Sequence, residues 1–201
     1  DGETALPLLV ALHGRGSDQE RFATFFADLH TPARLLSIGA PVPEHDGRAW
    51  FTFGRGWGGA VDDLDACVPR ILETIEAARR AHPTVGRPVV VGFSQGAMLA
   101  YLLALRQPSA IGAAFPVSGI SVDSLEPPDL DPSAVPPIHA FHGMRDEIIA
   151  IADGRDTVAH LRSIGVGVDL TEVPGATHWI GSEMSGVLLP ELDDALAAQS
   201  R

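Results

Sequence analysis

The chain has 201 residues, a length that suits one domain and suffices for a substantial buried core. Acidic residues outnumber basic ones by 26 to 14, a formal net charge of −12, which argues against nucleic acid or an anionic membrane as a partner. The basic residues are all Arg, with no Lys and no Asn, and with abundant Ala, Gly and Pro this reads as the codon bias of a GC-rich bacterial genome.

The single cysteine, Cys67, supports neither a disulfide framework nor a thiolate metal site and is expected to be a buried thiol. No apolar run approaches the length of a membrane span and no signal peptide is evident, so a cytoplasmic location without membrane insertion is expected. The chain opens at Asp1 rather than Met, which leaves room for a trimmed leader or strand.

Residues 6–13 read as a buried strand with Pro7 near its start, running into the glycine-rich turn His13-Gly14-Arg15-Gly16-Ser17-Asp18. Such a turn lets backbone approach a ligand closely, and His13 is expected to be a structural hydrogen-bonder in it. Ser17 or Asp18 can cap a helix over 19–29, where Phe22, Phe25, Phe26 and Leu29 recur at helical spacing. A short strand at 34–38 precedes a loop over 39–59 that holds Trp50, Phe51, Phe53 and Trp57, aromatics that either line a cleft or pack beneath the loop. Asp62 and Asp63 are expected to open a helix reaching about residue 81, with Leu64, Val68, Ile71, Leu72 and Ile75 on one face.

Three consecutive Val, 89–91, then run into Gly92-Phe93-Ser94-Gln95-Gly96, and strong helix formers follow over 97–105. This is a nucleophile elbow: a tight strand-to-helix corner lifts a Ser hydroxyl above a sheet, and glycine at both flanks gives the neighbouring backbone room. The helix N-terminus behind Ser94 favours an anion formed there. Further strands are expected at 110–117, 138–142 and 166–173, helices at 153–164 and 183–198, and a surface connection over 119–137. In the last helix Val187, Leu188, Leu192 and Leu196 are expected to face inward. Short apolar strands alternating with amphipathic helices imply a mostly parallel sheet covered on both faces.

A Ser hydroxyl needs a base to take its proton, and the base needs a carboxylate to hold its tautomer and stabilise its cation. After an elbow these follow in the order acid, then His, on loops behind later strands. Asp146 and His178 meet that order, whereas His139 lies within a strand, His142 at a strand end and His160 on a helix. Glu147 and Asp153 compete for the acid's role, the latter as a helix-cap candidate. The oxyanion hole is expected from the backbone N–H groups of Arg15 and Gln95, with their side chains mattering less than their geometry.

Leu12-His13-Gly14-x-Gly16, Trp50-Phe51, Gly92-Phe93-Ser94-Gln95-Gly96-Ala97, His142-Gly143-x-x-Asp146 and Gly175-x-x-His178 together resemble the phospholipase/carboxylesterase family of small α/β hydrolases, which includes the acyl-protein thioesterases. The resemblance implies a single α/β-hydrolase domain over 1–201 with little or no lid, and a serine carboxylesterase with Ser94, Asp146 and His178 as triad. It implies small-molecule ester substrates, allows a homodimer, and requires neither cofactor nor metal. Trp50, Phe51, Ile148 and Trp179 are the candidate substrate contacts. Arg15 stands where the family's thioesterase branch has an apolar residue, and Thr52 where that branch has an acid, which favours small, medium or polar esters over long acyl chains. Ser94 argues against the dienelactone hydrolases, which share the architecture but use Cys. Acyl thioesterase or lysophospholipase activity is the enzymatic alternative, and a catalytically retired ligand-binding module is the non-enzymatic one.

Overall fold

The computed structural model describes residues 4–200, except the side chain of Trp57; Asp1 lies outside the described residues. Its elements follow the order β1 (Leu6–Leu12), α1 (Gln19–Ala23), β2 (Arg34–Ile38), β3 (Val42–Glu44), β4 (Gly47–Ala49), α2 (Gly56–Ala81), β5 (Thr84–Phe93), α3 (Gln95–Arg106), β6 (Ala113–Val117), β7 (Ile138–Gly143), α4 (Ile151–Ser163), β8 (Val168–Val173) and α5 (Ser182–Gln199). Six strands form one parallel sheet in the order β2-β1-β5-β6-β7-β8, while β3 and β4 make a separate antiparallel hairpin.

Strand period explains the layering. Leu8, Val10 and Leu12 of β1 point into a core shared with α2, α3 and α4, whereas Leu9 and Ala11 point into one shared with α1 and α5. The continuous apolar runs in the sequence are therefore strands buried on both faces. Helix α3 is buried on every side from Gln95 to Leu105, as the apolar composition that follows Gln95 demands. This is the α/β-hydrolase fold.

Connectivity then locates the site. The chain winds outward from β1 to β2, returns to pair β5 with β1, and from there winds the other way through β6, β7 and β8. The reversal between β1 and β5 is a topological switch point, where the loops at the carboxyl ends of the strands part and leave a crevice.

Several sequence expectations change. The helix expected over 19–29 is short: Asp18 caps α1 by accepting from the N–H groups of Glu20 and Arg21, and residues 24–26 continue as a single 3-10 turn. Helix α2 starts at Gly56, six residues ahead of Asp62, because its buried stripe already includes Ala60 and Arg55 reaches the Gly59 carbonyl and Asp63. Pro7 keeps its expected place near the start of β1, as the strand's second residue, where the pairing register with β5 shifts between Pro7 and Leu9. In α5, Met184 joins Leu188, Leu192 and Leu196 in the core, while Val187 turns outward and is 37% exposed.

Candidate active site

Ser94 sits between β5 and α3 with φ 54° and ψ −114°, a left-handed conformation that costs a non-glycine residue about 1–3 kcal/mol. Its N–H donates to Val117 O on the neighbouring strand at 2.9 Å, which pins the strained residue. The flanking glycines are required by close approach: a Cβ at Gly92 would overlap the Gly96 carbonyl, and one at Gly96 would overlap the Leu12 carbonyl of β1.

The loops after β7 and β8 are tied together, Arg145 N–H to Ala176 O at 2.9 Å and Met144 N–H to Val173 O at 3.0 Å. This brings Asp146 and His178 face to face. His178 Nδ1 lies 2.7 Å from Asp146 Oδ2, and His178 Nε2 lies 2.9 Å from Ser94 Oγ. With the carboxylate accepting at Nδ1–H, Nε2 is left as the acceptor for the Ser94 hydroxyl.

Asp146 Oδ1 accepts two further bonds, from the N–H groups of Ile148 and Ile149, both at 2.9 Å. Burial works against the Asp146 charge, but the bonds from His178, Ile149 and Ile148 outweigh it and hold the carboxyl below the usual carboxylate range. An ionised carboxylate at this position can orient the imidazole and stabilise its cation.

Arg15 and Gln95 border the same space. None of the backbone hydrogen bonds of the described residues uses either N–H, whereas the N–H groups of Ala97 and Met98 both go to Ser94 O. The 14–17 turn is held by the hairpin, Gly16 N–H to Arg48 O at 2.8 Å and Arg48 N–H to Ser17 O at 2.7 Å. Beneath it, His13 Nδ1–H donates to Gly14 O at 2.7 Å while Nε2 accepts from Ala40 N–H at 3.0 Å, and burial keeps its imidazole below the ordinary pKa. A buried neutral His13 is therefore a scaffold residue.

A cleft of about 700 Å³ opens over Ser94 and His178. Phe51, Phe53, Phe93, Met98, Ile148 and Trp179 give it apolar walls, and Arg15, Glu44 and His45 a polar end. A second cleft of about 480 Å³ lies across Arg15, Phe93 and Trp179 from it, walled by Phe22, Phe25 and Ile180.

Of the four candidate substrate contacts, Phe51, Ile148 and Trp179 line the main cleft, and the last two are 73% and 59% exposed. Trp50 does not. It is 2% exposed, and its indole N–H donates to His13 O at 2.7 Å, so it packs under the loop. The Gln95 side chain also departs from expectation: Oε1 accepts from Trp50 N–H at 2.9 Å and Nε2 donates to Phe51 O at 3.1 Å, clamping the aromatic segment to the elbow.

Sequence reasoning placed Arg15 at the acyl site but missed Glu44 and His45, the rest of the polar end. It comes from the β3–β4 hairpin, where Glu44 pairs with Arg15 through Nε at 2.8 Å and His45 turns with φ 52°. The available signal was Asp46-Gly47, a turn dipeptide, though the pairing of Glu44 with Gly47 makes His45 and Asp46 the two turn residues and Gly47 the first of β4.

The phospholipase/carboxylesterase family model matches residues 2–189, and the chain belongs to that family. Over 124 residues it is 32% identical to a probable esterase of Aspergillus terreus (strain NIH 2624 / FGSC A1156), an alignment covering 53% of this chain and 48% of that one. The match thus spans about half the length of that relative. Among solved structures, esterase PE8 superposes with a TM-score of 0.80 at 24% identity, over 96% of this chain and 94% of that one. Zea mays acyl-protein thioesterase 2 superposes with a TM-score of 0.77 at 20% identity, over 96% and 95%. At those identities the two structures speak for the fold.

Proposed function

We propose that the protein is a serine carboxylesterase that hydrolyses small to medium carboxylic esters through an acyl-enzyme. The observation that carries the reading is the continuous relay from buried Asp146 through His178 to Ser94, with spacings of 2.7 and 2.9 Å, at the foot of an open cleft. Ser94 Oγ attacks the ester carbonyl while His178 Nε2 takes its proton; the tetrahedral intermediate collapses, and the same proton passes to the departing alcohol. Water, deprotonated by His178, then attacks the acyl-enzyme, and collapse returns the proton to Ser94 as the acid leaves. Asp146 remains ionised throughout and stabilises the imidazolium.

The backbone N–H groups of Arg15 and Gln95 are assigned to the developing oxyanion, each worth about 3–4 kcal/mol at the transition state. That neither N–H has a hydrogen-bond partner among the described residues supports this. The chemistry asks for no metal and no cofactor. Phe51, Ile148 and Trp179 are assigned to substrate contact, and the Arg15–Glu44 pair at the cleft's polar end favours acyl groups that are short or carry polar atoms. The net charge of −12 disfavours nucleic acid. Among the described residues no helix is long and apolar enough to cross a membrane. A single domain, a cytoplasmic site of action and a homodimer complete the proposal; one cooperative unfolding transition and sedimentation as a dimer are the corresponding measurements.

A thioesterase or lysophospholipase reading has one observation in its favour, the largely apolar wall of the 700 Å³ cleft, which has volume for a longer chain. Hydrolysis of p-nitrophenyl esters from acetate to palmitate separates the two. Activity on short chains that disappears in Ser94→Ala supports the carboxylesterase; preference for palmitate moves the assignment to long acyl substrates. Absence of activity across the whole series would count against both.

A further inference from the structure

We infer that His142 is a positioning residue for Asp146: its imidazole N–H fixes the 146–149 turn so that the carboxylate meets His178. The inference rests on the triad reading above and adds a residue to it.

His142 lies in β7, four residues before Asp146, and its ring is buried. Its Nε2 stands 2.9 Å from Ile149 O and 3.5 Å from Asp146 Oδ2. A ring nitrogen facing two oxygens, neither able to donate, must carry the proton. His142 therefore donates to Ile149 O while its N–H dipole also faces the carboxylate oxygen that receives His178. The turn is closed from the other side as well, because the Ile149 N–H donates to Asp146 Oδ1 at 2.9 Å. Ile149 thus joins the two side chains, accepting from one and donating to the other.

The far edge of the ring is equally confined. A Cβ at Gly154 of α4 would lie 2.7 Å from His142 Nδ1, so the helix approaches the ring this closely only because residue 154 is glycine. The charged groups shown to face His142 among the described residues are Asp146, on the loop after β7, and Glu172, its register partner on β8, which Arg155 of α4 holds in a fork at 2.8 and 2.5 Å. The ring is fixed by β7, α4 and the turn together.

Deleting the N–H would orphan the Ile149 carbonyl and release one face of the turn, leaving Asp146 to find His178 from a looser position. A misplacement of about 1 Å costs up to about a hundredfold in rate, against about 10⁴-fold when the acid itself is disabled. The test compares His142→Met, which fills the space without a donor, with His142→Gln, whose side-chain amide N–H can reach the same carbonyl. For the Met variant we expect a ten- to hundredfold loss of kcat at nearly constant KM. The acid limb of its kcat/KM profile should move to lower pH, because a misdirected carboxylate stabilises the His178 imidazolium less. The low-field proton signal of His178 Nδ1–H should move upfield, and the Gln variant should recover most of each property. Gly154→Ala, which displaces the ring without deleting it, should show a smaller loss of the same sign and decides the matter if the Met variant does not fold. Wild-type kinetics and an unmoved His178 signal in the Met variant, or a Gln variant no better than Met, would overturn the inference. A folded wild type that hydrolyses no ester would instead count against the triad reading, and the His178 signal would still report whether His142 positions Asp146.

Discussion

Asp146 joins the stability of the fold to its proposed chemistry. Its carboxylate receives three hydrogen bonds and sits below its ordinary pKa, so ionised Asp146 favours the folded state. The folded pKa lies below the unfolded value of about 3.9, so this contribution is present above that pH and fades as pH falls through the folded pKa. Asp146→Asn should therefore flatten the acid side of the stability–pH curve, measured by urea unfolding, and lower kcat by about 10⁴-fold at neutral pH. A variant with near-normal turnover would mean that another carboxylate serves His178. Gln95 gives a second expectation at this scale. Its side chain bonds the buried Trp50 N–H and the Phe51 C=O, and Gln95→Ala, which removes the acceptor of the buried Trp50 N–H, should cost about 1–3 kcal/mol, which thermal unfolding should record. The juxtaposition of Ser94, His178 and Asp146 within hydrogen-bond distance was legible because a strained elbow admits so few sequences and because Asp146 and His178 each closely follow an apolar run. The Gln95 clamp was not, since it spans 45 residues of sequence and depends on where the aromatic loop lands. For the same reason Trp50 reads equally well as cleft wall or as packing until its indole is seen bonded to His13 O.

At the scale of elements, strands were more legible than helix ends. Continuous Val, Leu and Ala runs can only be two-sided buried strands in this setting, and β1, β5, β6 and β7 fall within a few residues of expectation. Helix starts depend on tertiary contacts that propensity does not record: α2 extends back through three glycines, Gly56, Gly58 and Gly59, because Ala60 is buried and Arg55 bridges to Asp63. The connection over 119–137 is anchored in a similar way, with His160 Nε2 of α4 lying 3.1 Å from both carboxylate oxygens of Glu126. That hydrogen bond raises the His160 pKa above its ordinary value. The anchor's contribution is fully present below about pH 6.5 and is lost as pH rises through the folded pKa. An NMR titration should place His160 above that value in the wild type and return it toward the ordinary range in Glu126→Gln; identical titrations would show that the pair does not form in solution.

For the whole molecule, connectivity decides where chemistry can occur. The reversal of winding between β1 and β5 places the 14–17 turn beside Ser94, and the parallel order β6-β7-β8 carries Asp146 and His178 back toward it on successive loops. Four segments far apart in sequence thus meet at one end of the sheet. Exposed Phe53, Ile148 and Trp179 border that meeting point, so the cleft presents an apolar mouth on a strongly acidic molecule. The central claim is that Ser94 is a nucleophile activated by His178. The most direct measurement is labelling with a fluorophosphonate, followed by intact-mass and peptide analysis. The account predicts one adduct per chain, at Ser94, absent in Ser94→Ala and slowed by orders of magnitude in His178→Ala. Folded wild-type protein that stays unlabelled, or that carries its adduct on another residue, would contradict it.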